Sequence, residues 1–161
     1  MNSFRESILH PKLVQLYDYW DSIRDDRAMP GRRDMDPLDI PTLLANMVMY
    51  DVQHDPLRFR VRLYGTALTK ITGNDITGHY LDEPGISPVA LLTRPANEKV
   101  VLTKTPHLLK APYPSETGSG GFFYRLCLPL SDDGQKVSML MNGFYREKNI
   151  IATAQQHAAV A

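Results

Sequence analysis

The segment Arg58–Tyr64 alternates large apolar residues with arginines in the order Arg-Phe-Arg-Val-Arg-Leu-Tyr. A period of two is typical of a half-buried β-strand, because successive side chains of a strand point to opposite faces of the sheet. Strict alternation would place its apolar residues on one face, and its arginines and Tyr64 on the other. The preceding segment Asn46–Val52 is also rich in strand-forming residues, and a short His-Asp-Pro turn separates the two. The pattern therefore predicts an antiparallel hairpin.

The order of the remaining patterns predicts the fold class. Apolar residues recur every three or four positions within Ile8–Arg24, which indicates an amphipathic helix. The segment 66–102 is broken by glycine and proline and predicts several short helices. Three further strands are predicted at Thr105–Tyr113, Phe122–Leu130 and Lys136–Tyr145. One helix, two strands, short helices and three strands predict an α+β protein with a five-stranded antiparallel sheet and the short helices on one face.

Two positions within the middle segment predict where helices begin and end. Thr66–Thr72 has the length of two helical turns, and Gly73 follows it at the position where glycine commonly ends a helix. The longer stretch Val89–Leu102 contains Pro95. Because proline fits only the first turn of a straight helix, Pro95 either begins this helix or kinks it.

Composition limits the classes of protein to which the chain can belong. The chain has 161 residues, of which 43% are hydrophobic and 22% charged, as expected of one globular domain. Its 18 basic and 18 acidic side chains give a net charge of zero, which predicts no general attraction to nucleic acid or to anionic membranes. No apolar run approaches the roughly 18 residues of a membrane span, and no signal peptide is visible. We therefore expect a cytoplasmic protein without membrane insertion.

Cysteine and histidine usage bears on metal binding. Cys127 is the single cysteine, which excludes an intrachain disulfide and a cysteine-rich zinc site. The five histidines do not pair with one another, or with Cys127 or acidic residues, at metal-ligand spacing. We predict no metal site, and a small packed thiol is the expected state of Cys127.

Several stretches share residues with one known family. In Ile71–Gly78, one glycine follows a predicted helix and a second glycine ends the short turn after it. Four further stretches are more specific: Tyr19–Ile23, Met29–Arg32, Asp36–Pro41 and Phe59–Thr66. Together they resemble the PAS-domain superfamily and, within it, a short stand-alone bacterial PAS-like family with an N-terminal Tyr-Trp helix and a Pro/Arg linker. The resemblance covers most of the chain. It implies a PAS-like core at 31–146, preceded by an N-terminal helix at 1–30 and followed by a tail at 147–161.

The same resemblance argues against two cofactors. Flavin-type PAS domains carry a reactive cysteine just after an asparagine in the region of Asn74, where this chain has Asp75 and Ile76. Haem-binding PAS domains use a histidine on the long helix, and Val89–Leu102 contains none. We therefore expect no cofactor.

A sheet covered by short helices on one face leaves room for a small-ligand cavity. The polar groups expected to fix a ligand there are Arg62, Tyr64, Asn74, Tyr80, Tyr124, Arg125 and Asn142. A packed core without a cavity is the alternative. The Arg58, Arg60 and Arg62 face is open to three interpretations: an anion site, a solvated sheet face, or a surface that meets the acidic residues of the N-terminal helix.

The apolar stripe of the N-terminal helix has two possible destinations. The stripe runs from Leu9 to Ile23, and the members expected to make the contact are Leu13, Leu16, Tyr17 and Trp20. They would cap the chain's own sheet or contact a second copy of the chain. Because PAS domains often pair and twofold dimers are common, we favour a homodimer built on this stripe.

These observations predict a regulatory protein rather than an enzyme. No nucleophile–base pair or paired carboxylates are recognisable, so we expect no catalytic residues. The favoured function is a non-enzymatic PAS-like sensory or regulatory protein that acts through protein–protein contacts in bacterial signalling, with partners such as histidine kinases or their regulators. The alternative is a small-molecule sensor whose cavity ligand shifts the dimer or the N-terminal helix.

Overall fold

The computed structural model describes residues 2–86, 88–112 and 121–147. In chain order, its helices and strands are α1 (Ser3–Ser7), α2 (Pro11–Arg24), β1 (Met47–Gln53), β2 (Arg58–Tyr64), α3 (Thr66–Thr72), α4 (Pro88–Leu91), α5 (Arg94–Thr103), β3 (His107–Pro112), β4 (Phe122–Leu130) and β5 (Met139–Arg146). Short 3-10 turns lie between α2 and β1, at Arg32–Asp34, Pro37–Asp39 and Leu44–Asn46. None of the helices within these ranges is long and apolar enough to cross a bilayer.

The five strands in the described part of the chain form one antiparallel sheet. Their spatial order is β2-β1-β5-β4-β3, so the N-terminal hairpin pairs with the last strand. Helix α2 covers one face, here called the outer face, where it contacts β4 and β5. Helices α3, α4 and α5 lie on the opposite, inner face. The predicted fold class, an α+β fold with a five-stranded antiparallel sheet and short helices on one face, is confirmed.

Helix α2 lies on the chain's own sheet. The side chains of Leu13 and Leu16 pack over Gly143 of β5, where a Cβ atom would come within 2.8 Å of either side chain. The indole Nε1 of Trp20 donates a hydrogen bond to the carbonyl oxygen of Pro129, at 2.8 Å. With Tyr17, these side chains are 0–4% exposed. The stripe therefore takes the cap arrangement in this structure, with its four side chains covered by the chain's own sheet.

The N-terminal helix begins later than the sequence pattern suggests. The expected helix started at Ile8, whereas α2 starts at Pro11 and the short helix α1 precedes it. His10 is the residue that caps α2, because its Nδ1 accepts a hydrogen bond from the backbone N–H of Lys12 at 3.1 Å. Leu9, expected in the apolar stripe, is 62% exposed.

A β-bulge changes the faces of β2 near its end. Tyr50 pairs with Val61 and Met49 pairs with Leu63, which leaves Arg62 as the extra residue. Strict alternation would keep Leu63 on the face of Val61. The bulge instead moves Leu63 to the outer face and brings Tyr64 to the inner face.

The middle of the chain follows its glycine and proline signals. Helix α3 ends at Gly73, whose φ of 84° is the left-handed conformation that glycine adopts readily. Pro95 lies in the first turn of α5 and so begins that helix rather than kinking a longer one. The predicted strands Phe122–Leu130 and Arg58–Tyr64 have the observed bounds. The segment 113–120 and the predicted tail from 148 onward lie outside the described residues.

Candidate functional site: a cavity on the inner face

A cavity of about 260 Å³ lies between the inner face of the sheet and helices α3 and α4. Val48, Tyr50 and Phe144 line it from the sheet, while Leu68 and Ala90 line it from the helices. The three side chains from the sheet reach the cavity because they alternate along β1 and β5 with residues of the outer face. Most of the wall is apolar, so the cavity suits the apolar body of a small molecule.

The hydroxyl groups of Tyr50 and Tyr64 in the cavity wall are bonded within the protein. The Tyr50 hydroxyl lies 3.4 Å from Thr93 Oγ1, which itself donates to the carbonyl oxygen of Ala90 at 2.7 Å. The Tyr64 hydroxyl lies 3.1 Å from Thr72 Oγ1. Burial raises the pKa of both tyrosines, so each remains a neutral hydroxyl at ordinary pH.

A buried polar cluster lies beside the cavity, and we call Arg125, Asn97 and Asn142 the Arg125 cluster. All three are at most 1% exposed. Arg125 Nη2 donates to Asn97 Oδ1. Arg125 Nε and Nη1, Asn97 Nδ2 and both side-chain polar atoms of Asn142 have no hydrogen-bond partner within the described ranges. Buried polar atoms are normally paired, so this cluster is unusual for a core.

Cys127 lies next to the cluster on the inner face of β4. Its pairing with Asn142 places the two side by side, and the thiol is fully buried. Burial raises the pKa of the Cys127 thiol to about 11, although the charge of Arg125 opposes that shift. The thiol therefore remains protonated, and the expectation of a small packed thiol is confirmed.

Tyr145 connects the cavity to helix α2. It lines the cavity, and its ring stacks on His10 with 4.4 Å between centroids. Burial raises the pKa of Tyr145 to about 12, whereas burial lowers the pKa of His10 to about 4. His10 is thus a neutral cap of α2 in direct contact with a residue of the cavity wall.

The structure brings only part of the predicted ligand set to the inner face. Tyr64 lines the cavity, and Arg125 and Asn142 belong to the cluster beside it. Asn97 was missed, because one asparagine within a helical pattern gives no sequence signal. Tyr50 was also missed, although its spacing of two from Val48 could have revealed it.

The other four predicted ligand residues do not line the cavity. Arg62 is paired with Asp51 at 3.3 Å, and Asn74 is exposed. The ring of Tyr80 lies under the Arg58 guanidinium at 3.8 Å, along the edge of β2. Tyr124 is buried on the outer face, because β4 alternates and Arg125 takes the inner position.

The arginines of β2 bond to groups near them in the chain's own fold. Arg58 forms an ion pair with Asp82 at 2.9 Å, and Arg60 Nε donates to the carbonyl oxygen of Gly78 at 3.1 Å. The acids of α2 pair elsewhere; Asp18, for example, pairs with Arg5 at 2.6 Å. The interpretation that these arginines meet the N-terminal helix is therefore wrong, since α2 lies over β4 and β5.

The described part of the chain contains no group of three histidine, cysteine or acidic side chains that could hold a metal ion. The candidate site is a largely apolar cavity with the buried Arg125 guanidinium beside it.

A family model described as a PAS domain matches residues 8–143. The chain is similar to the PAS domain of BvgS from Bordetella pertussis, at 14% identity and a TM-score of 0.48, covering 79% of this chain and 100% of that one. It is also similar to the LOV protein of Rhodobacter sphaeroides, at 13% identity and a TM-score of 0.46, covering 77% of each chain.

A third similar structure is the LOV domain of a blue-light-activated histidine kinase from Erythrobacter litoralis. Here the identity is 15% and the TM-score 0.43, covering 63% of this chain and 94% of that one. No curated protein matches the chain.

Proposed function

This chain belongs to the PAS domain family, whose fold serves sensing and signalling, and we propose that it is a non-enzymatic regulatory domain that acts by contacting another protein. The partners we propose are signalling proteins such as histidine kinases or their regulators, in the cytoplasm, together with a second copy of the chain. Neither nucleic acid nor a membrane is among them. We also propose the division into an N-terminal cap at 1–30, a core at 31–146 and a tail at 147–161.

The observation that carries this proposal is the contact between the cavity wall and the surface helix α2. Tyr145 lines the cavity and stacks on His10, which caps α2. A change on the inner face therefore has a direct structural route to a helix on the outside of the domain. A helix at the surface is accessible to a partner protein.

Two exposed leucines allow this proposal to be tested with matched variants. Leu38 follows α2, in the 3-10 turn that Tyr19 of α2 contacts through Asp36, and it is 82% exposed. Leu102 lies near the end of α5 and is 78% exposed. Neither should affect folding when replaced by aspartate. The full chain is cross-linked in cell extract and its partners are identified by mass spectrometry.

We expect Leu38→Asp to lose a specific cross-linked partner that both the unaltered protein and Leu102→Asp retain. The absence of any specific partner for the unaltered protein contradicts the contact function. A partner that both variants retain equally contradicts the assignment to the α2 side.

Small-molecule sensing is the second candidate, because the cavity is large enough for an organic ligand. A ligand changes the state of the protein only if it binds two states with different affinity. Native mass spectrometry of gently purified protein tests for a retained ligand, and hydrogen exchange tests its effect on α2. We expect the bound form to exchange the amides of α2 at a different rate from the free form, while β4 stays unchanged. Equal exchange in α2 would leave the domain as a contact protein without a sensor.

A further inference from the structure

Within residues 2–86, 88–112 and 121–147, Arg125 is a buried positive charge without a negative partner. Its side chain is 1% exposed, and no carboxylate in these ranges forms an ion pair with it. Among the same residues, Nη2 alone of its side-chain nitrogens makes a hydrogen bond, to the neutral amide of Asn97. A guanidinium remains charged at any ordinary pH, and a buried charge is costly unless an opposite charge or several hydrogen bonds compensate it.

The neighbours of Arg125 do not supply that negative charge. Asn97 and Asn142 are neutral, and the thiol of Cys127 has a pKa of about 11 and stays protonated. Among the described residues, four donors of the cluster have no acceptor, namely the amide nitrogens of Asn97 and Asn142 and Arg125 Nε and Nη1, whereas one acceptor, Asn142 Oδ1, has no donor. The Arg125 cluster thus contains more unpaired donors than acceptors, which is the arrangement that an anion satisfies.

The cluster is adjacent to the cavity. Phe144, which lines the cavity, pairs with Arg125 across the β4–β5 ladder, and its ring centre lies 5.5 Å from the guanidinium carbon. Val48, also part of the wall, pairs with Asn142. Tyr50 lines the cavity and lies within the electrostatic influence of Arg125. Residues of the cavity wall therefore lie directly beside the Arg125 cluster.

We propose that the cavity binds a small monocarboxylate with an apolar body, whose carboxylate is held by Arg125 and whose body contacts Val48, Leu68 and Phe144. This inference rests on the small-molecule sensing proposed above and names its ligand class. A carboxylate fits because a guanidinium offers planar, paired donors to its two oxygens. One buried positive charge matches a single negative charge. The apolar wall matches a hydrocarbon or aromatic body of limited size.

The test compares charged and neutral probes of equal shape. Octanoate and 3-phenylpropionate are each titrated into the full chain by calorimetry beside octanamide and 3-phenylpropanamide. The variants are Arg125→Met, which keeps much of the side-chain volume but removes the charge, and Arg60→Met, which removes an exposed arginine of β2. Circular dichroism confirms that each variant is folded.

We expect at least one carboxylate to bind the unaltered protein about tenfold or more tightly than its amide. Arg125→Met should lose that preference, and Arg60→Met should keep it. Equal binding of acid and amide, or a preference that survives in Arg125→Met, overturns the carboxylate assignment and leaves the cavity as a site for neutral ligands. Failure of all four compounds to bind also overturns it, while the contact function is decided separately by the cross-linking experiment.

Discussion

The two faces of the sheet are covered by helices in very different ways. On the outer face, α2 packs apolar side chains against Gly143, and the two buried polar groups of its stripe, the Tyr17 hydroxyl and the Trp20 indole, both have hydrogen-bond partners. Among the described residues, two buried polar atoms at the start of α2 are unpaired, His10 Nε2 and the Tyr145 hydroxyl, against five in the Arg125 cluster. On the inner face, a cavity of about 260 Å³ lies beside a cluster of unpaired polar atoms. Close packing with satisfied polar groups stabilises a fold, whereas empty volume and unpaired donors lower its stability. The difference indicates that the outer face holds the domain together and the inner face is shaped for binding.

The largest expected effect is on the outer face, at Trp20. Replacement by alanine removes a buried indole and leaves the Pro129 carbonyl without its donor, so we expect a loss of about 3–5 kcal/mol in the free energy of unfolding. Urea denaturation measures it. Leu38→Ala, at an exposed position, should change stability by less than about 0.5 kcal/mol. A small effect of Trp20→Ala would mean that the packing of α2 contributes little to the free energy of unfolding. The two faces would then not differ in how much they stabilise the domain.

The second effect depends on pH and concerns the cap of α2. The folded pKa of His10, about 4, lies below the ordinary value of 6.5, because burial opposes its charge. The unfolded chain therefore takes up a proton first as the pH falls. The contribution of neutral His10 to the free energy of unfolding is therefore complete above about pH 6.5. It is lost progressively as the pH falls to about 4, by at most about 3 kcal/mol.

His10→Asn provides the control, because asparagine keeps an oxygen that can cap the helix but does not titrate. The pKa of His107 is also lowered by burial, so His107 contributes to the same pH range. The contribution of His10 is the difference between the two stability profiles. If the stability profiles of the unaltered protein and His10→Asn are parallel from pH 7 to pH 4, the prediction that His10 makes stability depend on pH is wrong.

Gly143 tests how closely α2 approaches the sheet. A Cβ atom there would lie 2.8 Å from side-chain atoms of both Leu13 and Leu16, so Gly143→Ala should cost about 1–3 kcal/mol. Gly121→Ala is the matched control, since nothing lies within 4 Å of a Cβ atom at that position. Truncation of Leu13 to alanine in the Gly143→Ala background should restore room for the methyl group. If the Leu13 truncation recovers none of the stability lost in Gly143→Ala, the loss does not come from the contact between the added methyl group and Leu13.

The two faces also differ in how well the sequence predicts them. Alternation and helical spacing report burial, so β2, β4 and the buried stripe of α2 follow from the pattern. The start of α2 was missed, because Leu9 fits the helical spacing although the chain turns at His10 to form the cap. The bulge beside Arg62 was missed, because one extra residue in a strand leaves no periodic signal.

The inner site was predicted only in part, for a physical reason. Arg125 and Asn142 could be placed on one face by counting along strands, but Asn97 reaches them from a helix 28 residues before Arg125. Contacts of that separation depend on how α5 packs against β4, which local patterns do not encode. Tyr124 was placed in the cavity because its residue type suits a ligand, although strand alternation assigns it to the opposite face.

The smallest and most discriminating expected effect is on the inner face. There the contrast between the faces predicts that a substitution leaves stability unchanged or raises it, whereas substitutions on the outer face lower it. Arg125→Met replaces a buried, unneutralised guanidinium by an apolar side chain of similar length, so we expect unchanged or increased stability, by about 1 kcal/mol. The loss of the donor to Asn97 Oδ1 offsets part of that gain. Urea denaturation of the full chain without added carboxylate measures the difference. A loss of several kcal/mol would show that Arg125 supports the fold as Trp20 does. Stability retained together with a lost preference for octanoate would show instead that the inner face keeps a costly charge because a ligand needs it.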